Sequence, residues 1–230
     1  GSRQFALGVL QMLLRHRQRI ARAFGLDQGD VGVQARVLAR AAALGDGLRG
    51  AVEQLDRTLF ESHPPLRGEH DVRGLRQCLR EGLIEVIGTD HSPFLAEDKV
   101  HGDDNIFLAP PGLAGLEVMV PLMLTAAHHG WITLEDVAAL CSENAAKLFA
   151  LPRKGRVQAG ADADLTIVDL SSTWRYDSAG AVTKSRANMQ IYDGVELHGR
   201  VVSTIVRGAV VYRDGVVTGR PGHGQFVRPE

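Results

Sequence analysis

Asp90 and His91 close the segment LIEVIGTDHSPF, Leu83–Phe94, in which a short apolar run ends in a carboxylate and an imidazole and then breaks at Pro93. A carboxylate at the exit of a buried strand can ligate a divalent cation, or carry a proton between an attacking water and a leaving group. Barrels of parallel strands mount catalytic groups at such exits, because strand ends and the loops after them form the mouth of the site. The structural alternative is a turn or helix cap, a common role for an Asp shortly before a proline. His91 would either orient Asp90, meet a ligand or pack beneath the loop.

Other reactive side chains have plainer readings. Cys78 and Cys141 lie far apart without CxxC spacing, which favours two free thiols over a disulfide or a structural zinc site. His128-His129 precedes Gly130 at a helix end, where imidazolium would complement the dipole. Asp162 and Asp164 open a strand and read as turn residues, and Arg15, Arg17, Arg19 and Arg22 as one solvated helix face. The chain is 44% hydrophobic and 23% charged with a formal charge of -1, enough apolar material for a core and no global field for nucleic acid or an anionic membrane. No apolar run reaches the ~18 residues of a spanning helix. Lacking a signal-peptide pattern as well, the chain is expected in the cytoplasm.

The elements that must position Asp90 follow from periodicity. Residues 1–61 read as two or three helices, with Pro64-Pro65 ending that region. A helix is expected from Asp71 to Gly82, with Val72, Leu75, Leu79 and Leu83 as its stripe and Gly82 as its C-cap. Ile84–Thr89 reads as a strand, followed by a loop of about twenty residues to Gly112, a length usually tied to function. Helices resume over Leu113–Gly130, with an apolar face of Leu116, Met119, Val120, Met123 and Leu124. Thr133 and Asp136 have the form of a capping box before Leu134–Cys141, and a further turn runs from Asn144 to Leu151. From Gly155 the period becomes 2, with strands at Leu165–Leu170, Val201–Val206 and Ala209–Tyr212, a tight turn at Arg207-Gly208 and another at Asp214-Gly215.

Five motifs stand in order around Asp90: PPLR at 64–67, TDH at 89–91, APPGLAGLE at 109–117, SENAAK at 142–147 and GRVQAGADADL at 155–165. Over residues 62–230 this succession resembles the second half of the cyclic amidohydrolases, the group of dihydroorotases, allantoinases and hydantoinases. The resemblance implies an α/β fold: the last strand and helices of a TIM-type (β/α) barrel over residues 62–154 and a C-terminal β-sandwich segment over 155–230, behind a helical region at 1–61. It also implies a divalent metal, zinc, held in such enzymes by an HxH pair, a carbamylated lysine, two further histidines and an aspartate. Asp90 matches the aspartate, as metal ligand and as the catalytic group that moves a proton from the attacking hydroxide to the leaving ring nitrogen. His91, Phe94 and the loop Ala109, Pro110, Pro111 and Gly112 would face the substrate, a small cyclic amide.

The chain departs from the family pattern in ways that matter. It contains no HxH pair and no lysine before Lys99, so the metal set is expected to be incomplete and this polypeptide inactive by itself. A barrel takes ~250 residues, and residues 1–61 do not resemble its strands. Asn144-Ala145-Ala146-Lys147 replaces the usual Asn-Pro-Ala-Lys. Phe94 stands where dihydroorotases usually carry a histidine that meets the substrate carboxylate, which favours a neutral ring such as a hydantoin, dihydropyrimidine or allantoin; the APPGLAGLE loop is closer to dihydroorotases. The rival function is a non-catalytic dihydroorotase-like scaffold subunit. Open strand edges and apolar helix faces would make either form a homo-oligomer.

Overall fold

The computed structural model describes residues 59–62 and 69–229. Most of the helical region expected over 1–61, its residues 1–58, and the Pro64-Pro65 break lie outside them, while Leu59 and Phe60 form a turn and Glu61 is not helical. The first helix, α1, spans Glu69–Arg80. It ends as the sequence requires: Gly82 takes φ +65°, its N–H donates to the Leu79 carbonyl and that of Leu83 reaches back to Cys78. This Schellman closure needs a residue that tolerates a left-handed backbone.

The segment Ile84–Thr89, expected as a strand, is extended but belongs to no sheet. Two of its carbonyl and amide groups bond to helical structure. Ile87 N–H donates to the Leu140 carbonyl, and Asn144 Nδ2 donates to the Glu85 carbonyl. Burial does not alternate either: Ile84 and Ile87, three apart, both enter the core. A run becomes a strand only through a neighbour's ladder, and no described segment offers one here.

The long loop after Asp90 is not structureless. It holds a single helical turn, α2, at Ala96–Lys99, and 3-10 turns at Val100–Gly102 and Ile106–Leu108. Helix α3 follows at Leu116–His128. The expected single apolar face is wrong for it: Leu116 is exposed, whereas Val118, Leu122, Met123, Leu124 and Ala126 are all buried. A helix apolar on several sides is buried on several sides, and α3 runs between two cores. Met123 and Ala126 join α1, Ile84, Ile87, Ile132 and Leu140 in the first. Val118 and Leu122 join Leu113, Tyr176, Met189, Tyr192 and Leu197 in the second.

Thr133 caps α4, Leu134–Ala138, with the full reciprocal box to Asp136. A π-helical turn, Ala139–Glu143, carries the chain into α5, Asn144–Leu148. The C-terminal part is a single antiparallel sheet in the order β1 (Leu165–Arg175), β2 (Glu196–Val206), β3 (Ala209–Arg213) and β4 (Val216–Val217). Arg207-Gly208 and Asp214-Gly215 both have positive φ, the pairing that matches hairpin twist. Among the described residues no second sheet covers this one.

Candidate active-site loop and its frame

Asp90 is exposed and has φ +47°. Three other non-glycine residues among those described share the left-handed region, and each has a local reason. Arg207 and Asp214 lie in the hairpin turns, and Ala150 follows α5, with the Leu151 N–H returning to the Ala146 carbonyl. Asp90 follows neither a helix nor a hairpin strand. Nor does it cap the next helix, because the Asp98 carboxylate takes the Leu95 N–H there. A left-handed backbone costs roughly 1 kcal/mol, and strained backbone gathers at functional positions.

The turn that holds Asp90 is bonded from both sides. His91 N–H donates to Thr89 Oγ1 and Ser92 Oγ to the Asp90 carbonyl. Ser92 N–H donates to the Leu113 carbonyl at 3.0 Å, and Gly115 N–H donates to His91 Nδ1 at 3.1 Å. That last bond makes His91 Nδ1 an acceptor, which fixes the neutral ring with its proton on Nε2. His91 thus ties the Asp90 turn to the start of α3.

The structure brings Ser92 and Phe94 against the 109–112 loop at Gly112, while His91 meets Gly115 just beyond it. Gly112 has φ +152°, and a Cβ there would fall 2.3 Å from Ser92 Cβ and 3.2 Å from the Phe94 ring. Only a residue without a side chain permits that approach. Within the loop Ala109 is buried, Pro110 half-buried and Pro111 exposed. Two residues that sequence reasoning missed complete the frame. Asn188, fully buried, accepts from Ala114 N–H and donates to the Phe94 carbonyl, each at 3.2 Å. Lys99, 1% exposed, donates to the carbonyls of Glu61 and Gly112. Nothing in the polar stretch AEDKVHGDD marks Lys99 as buried. Asn188 lies in a short 3-10 segment, Arg186–Tyr192, that carries no periodic signal.

The remaining candidates stay structural. Burial pushes both thiols up to about 11, with Glu81 adding to the effect at Cys78, so neither is a nucleophile near neutral pH. His129 differs from its expected role as a dipole-pairing cation. Burial first, then the neighbouring His198, His128 and Arg76, hold its pKa below the ordinary 6.5. Asp162 and Asp164 bind Lys154, and Asp164 also accepts the Arg207 N–H, which is turn chemistry. A cavity of about 200 Å3 lies between α5 and residues 150–156; no residue around Asp90 lines it.

Residues 52–211 match the amidohydrolase family. The chain belongs to that family. It is 38% identical over 170 residues to a dihydroorotase of Pyrococcus horikoshii, covering 74% of this chain and 38% of that protein. It is 39% identical over 167 residues to an L-hydantoinase of Paenarthrobacter aurescens, covering 71% and 36% respectively. The solved L-hydantoinase (dihydropyrimidinase) from Arthrobacter aurescens superposes with a TM-score of 0.72 at 33% identity, covering 83% of this chain and 41% of that one. This amidohydrolase chain therefore spans about two fifths of the length of the relatives it matches.

Enzymes of the amidohydrolase family use divalent metals. Among the described residues no group of three or more His, Cys, Asp or Glu side chains could hold an ion. The described residues therefore do not by themselves make up a metal centre. No helix among them is long and apolar enough to cross a membrane.

Proposed function

We propose that this chain contributes the Asp90 turn and the 109–112 loop to an enzyme that hydrolyses a ring C–N bond of a cyclic ureide. The supporting observation is the Asp90 backbone, left-handed at the end of the apolar run, in a turn bonded through Thr89, Ser92 and His91. Ring opening needs a proton taken from the attacking water and one delivered to the departing nitrogen. A positioned carboxylate can do both in sequence. Further ligands, beyond the described residues, would have to complete the metal site, and zinc is the ion we assign to it.

The ring is neutral, a hydantoin, dihydropyrimidine or allantoin in preference to dihydroorotate. Phe94 cannot pair with a carboxylate, and Lys99, whose Nζ is 5.9 Å from the Phe94 ring centroid, is buried and bonded to two carbonyls. The same reading takes residues 62–154 as barrel and 155–230 as part of a β-sandwich, and the protein as a cytoplasmic homo-oligomer. Two free thiols fit a reducing compartment. Metal content and ring opening of hydantoin, dihydrouracil, allantoin and dihydroorotate, measured on one preparation, test the proposal. Neither zinc nor turnover is expected from this chain alone, and stoichiometric zinc with turnover that Asp90→Asn removes is expected once a polypeptide carrying the remaining ligands is supplied. A metal-free oligomer that opens none of the four and holds a partner protein would establish the scaffold reading instead.

A further inference from the structure

Lys99 is the charged side chain among the described residues that lies deepest in the protein, at 1% exposure. Burying an ammonium is costly unless strong acceptors surround it. Among its acceptors are two backbone carbonyls, Glu61 at 3.0 Å and Gly112 at 2.9 Å. The Glu61 carbonyl also takes the Gly112 N–H at 2.9 Å. One ammonium thus joins three separate stretches: residues 59–62, the end of the Pro110-Pro111 loop, and α2, which follows the Asp90 turn.

What the clamp holds is Gly112, which packs against Ser92, two residues after Asp90. The site where a Gly112 side chain would lie is occupied by Ser92, so a shift of Gly112 opens or crowds the turn two residues after Asp90. The next residue, Leu113, accepts the Ser92 N–H, and Gly115 donates to His91. Charged donors make shorter and stronger bonds than neutral ones, and a lysine here grips both carbonyls from one point. A purely space-filling role would need only the four-carbon stem.

We infer that Lys99 is a positioning residue, setting the 110–113 loop against the Asp90 turn through the carbonyls of Glu61 and Gly112. The inference rests on the proposed role of Asp90 but is tested apart from it. Lys99→Met keeps the stem and removes the donor. Amide exchange in the full chain then reports on four native bonds, the N–H groups of Ser92, Gly112, Ala114 and Gly115, with amides of the α3 interior as reference. The expected result is exchange at least about tenfold faster at those four and unchanged in α3, with Lys99→Arg, which restores donors, returning toward the parent. Where the parent protein opens a ring, Lys99→Met should lower kcat and leave KM within about twofold. Equal acceleration of the four loop amides and α3, or no acceleration, overturns the inference, because the lysine would then be a general core residue. Should Lys99→Met not fold, Lys99→Arg and Lys99→Gln are compared by the same exchange ratio, Gln being too short to span both carbonyls and expected to behave as the loss. Loop-selective exchange in a protein that opens no ring leaves the positioning role intact and removes the proposed activity.

Discussion

Asn188 and His129 show how much single side chains decide in this chain. Asn188 satisfies one donor at Ala114 and one acceptor at Phe94 from a fully buried position. Asn188→Leu fills similar space yet strands both backbone groups, and should cost about 2 kcal/mol in denaturant melts. His129 makes a claim about pH. Its folded pKa lies below the ordinary value of 6.5 through burial and the nearby His198, His128 and Arg76. The unfolded chain therefore binds the proton more readily. The stability this neutral imidazole supports is complete above pH 6.5 and is lost as pH falls from there toward the folded pKa. Melting temperature should decline over that window, and His129→Gln should flatten the decline; an equal slope in the variant would assign it to other groups.

Gly155 and Gly160 flank the same connection into the sheet and separate two costs that a left-handed glycine hides. At Gly155, with φ +77°, a Cβ would lie 2.7 Å from Ala146 Cβ and 2.9 Å from backbone atoms of Glu143 and Ser142, whereas at Gly160, with φ +87°, it would meet nothing within 4 Å. Gly160→Ala should cost about 1 kcal/mol, the backbone penalty alone. Gly155→Ala should cost about 3 kcal/mol, since the π-helical turn and α5 must also retreat. Thr133→Ala, which removes one arm of the capping box, should cost about 1 kcal/mol. These caps and turns were legible in sequence because their chemistry is local: Gly82 ending α1, Thr133 opening α4, and Arg207-Gly208 joining β2 to β3. Ile84–Thr89 was misread because strand identity depends on a neighbour, and this segment bonds to Leu140 and Asn144 instead. The Asp90 turn could be found from its motif. The buried clamp around it could not, since Lys99 sits in a polar stretch that local pattern assigns to the surface and Asn188 in a short 3-10 segment without periodicity.

Beyond the bonds of Asn188, the helical part meets the sheet along a seam where α3 lies against β2, and α3 contributes to both cores. Thr125 Oγ1 donates to the Pro121 carbonyl and accepts the His198 N–H at 2.9 Å, which bonds helix to strand. Beside it Gly199, with φ +84°, lets the strand approach so closely that a Cβ would lie 2.9 Å from Leu124 Cδ1 and 3.0 Å from Leu124 Cβ. Trp174 Nε1 donates to the Gly199 carbonyl at 3.1 Å and fixes the strand's other side. The seam is therefore set by contact between one missing side chain and one large one, and that contact can be measured as a coupling. Gly199→Ala should cost about 3 kcal/mol, roughly 1 for the left-handed backbone and the rest for crowding against Leu124. Leu124→Ala should cost about 3 kcal/mol through the cavity it leaves. In the double variant the new methyl group enters space that Leu124 has vacated, so the sum should fall short of additivity by about 1–2 kcal/mol. Additive losses in urea melts would mean that β2 simply moves away from α3, and that the seam is held by Thr125 and Trp174 rather than by the close approach at Gly199.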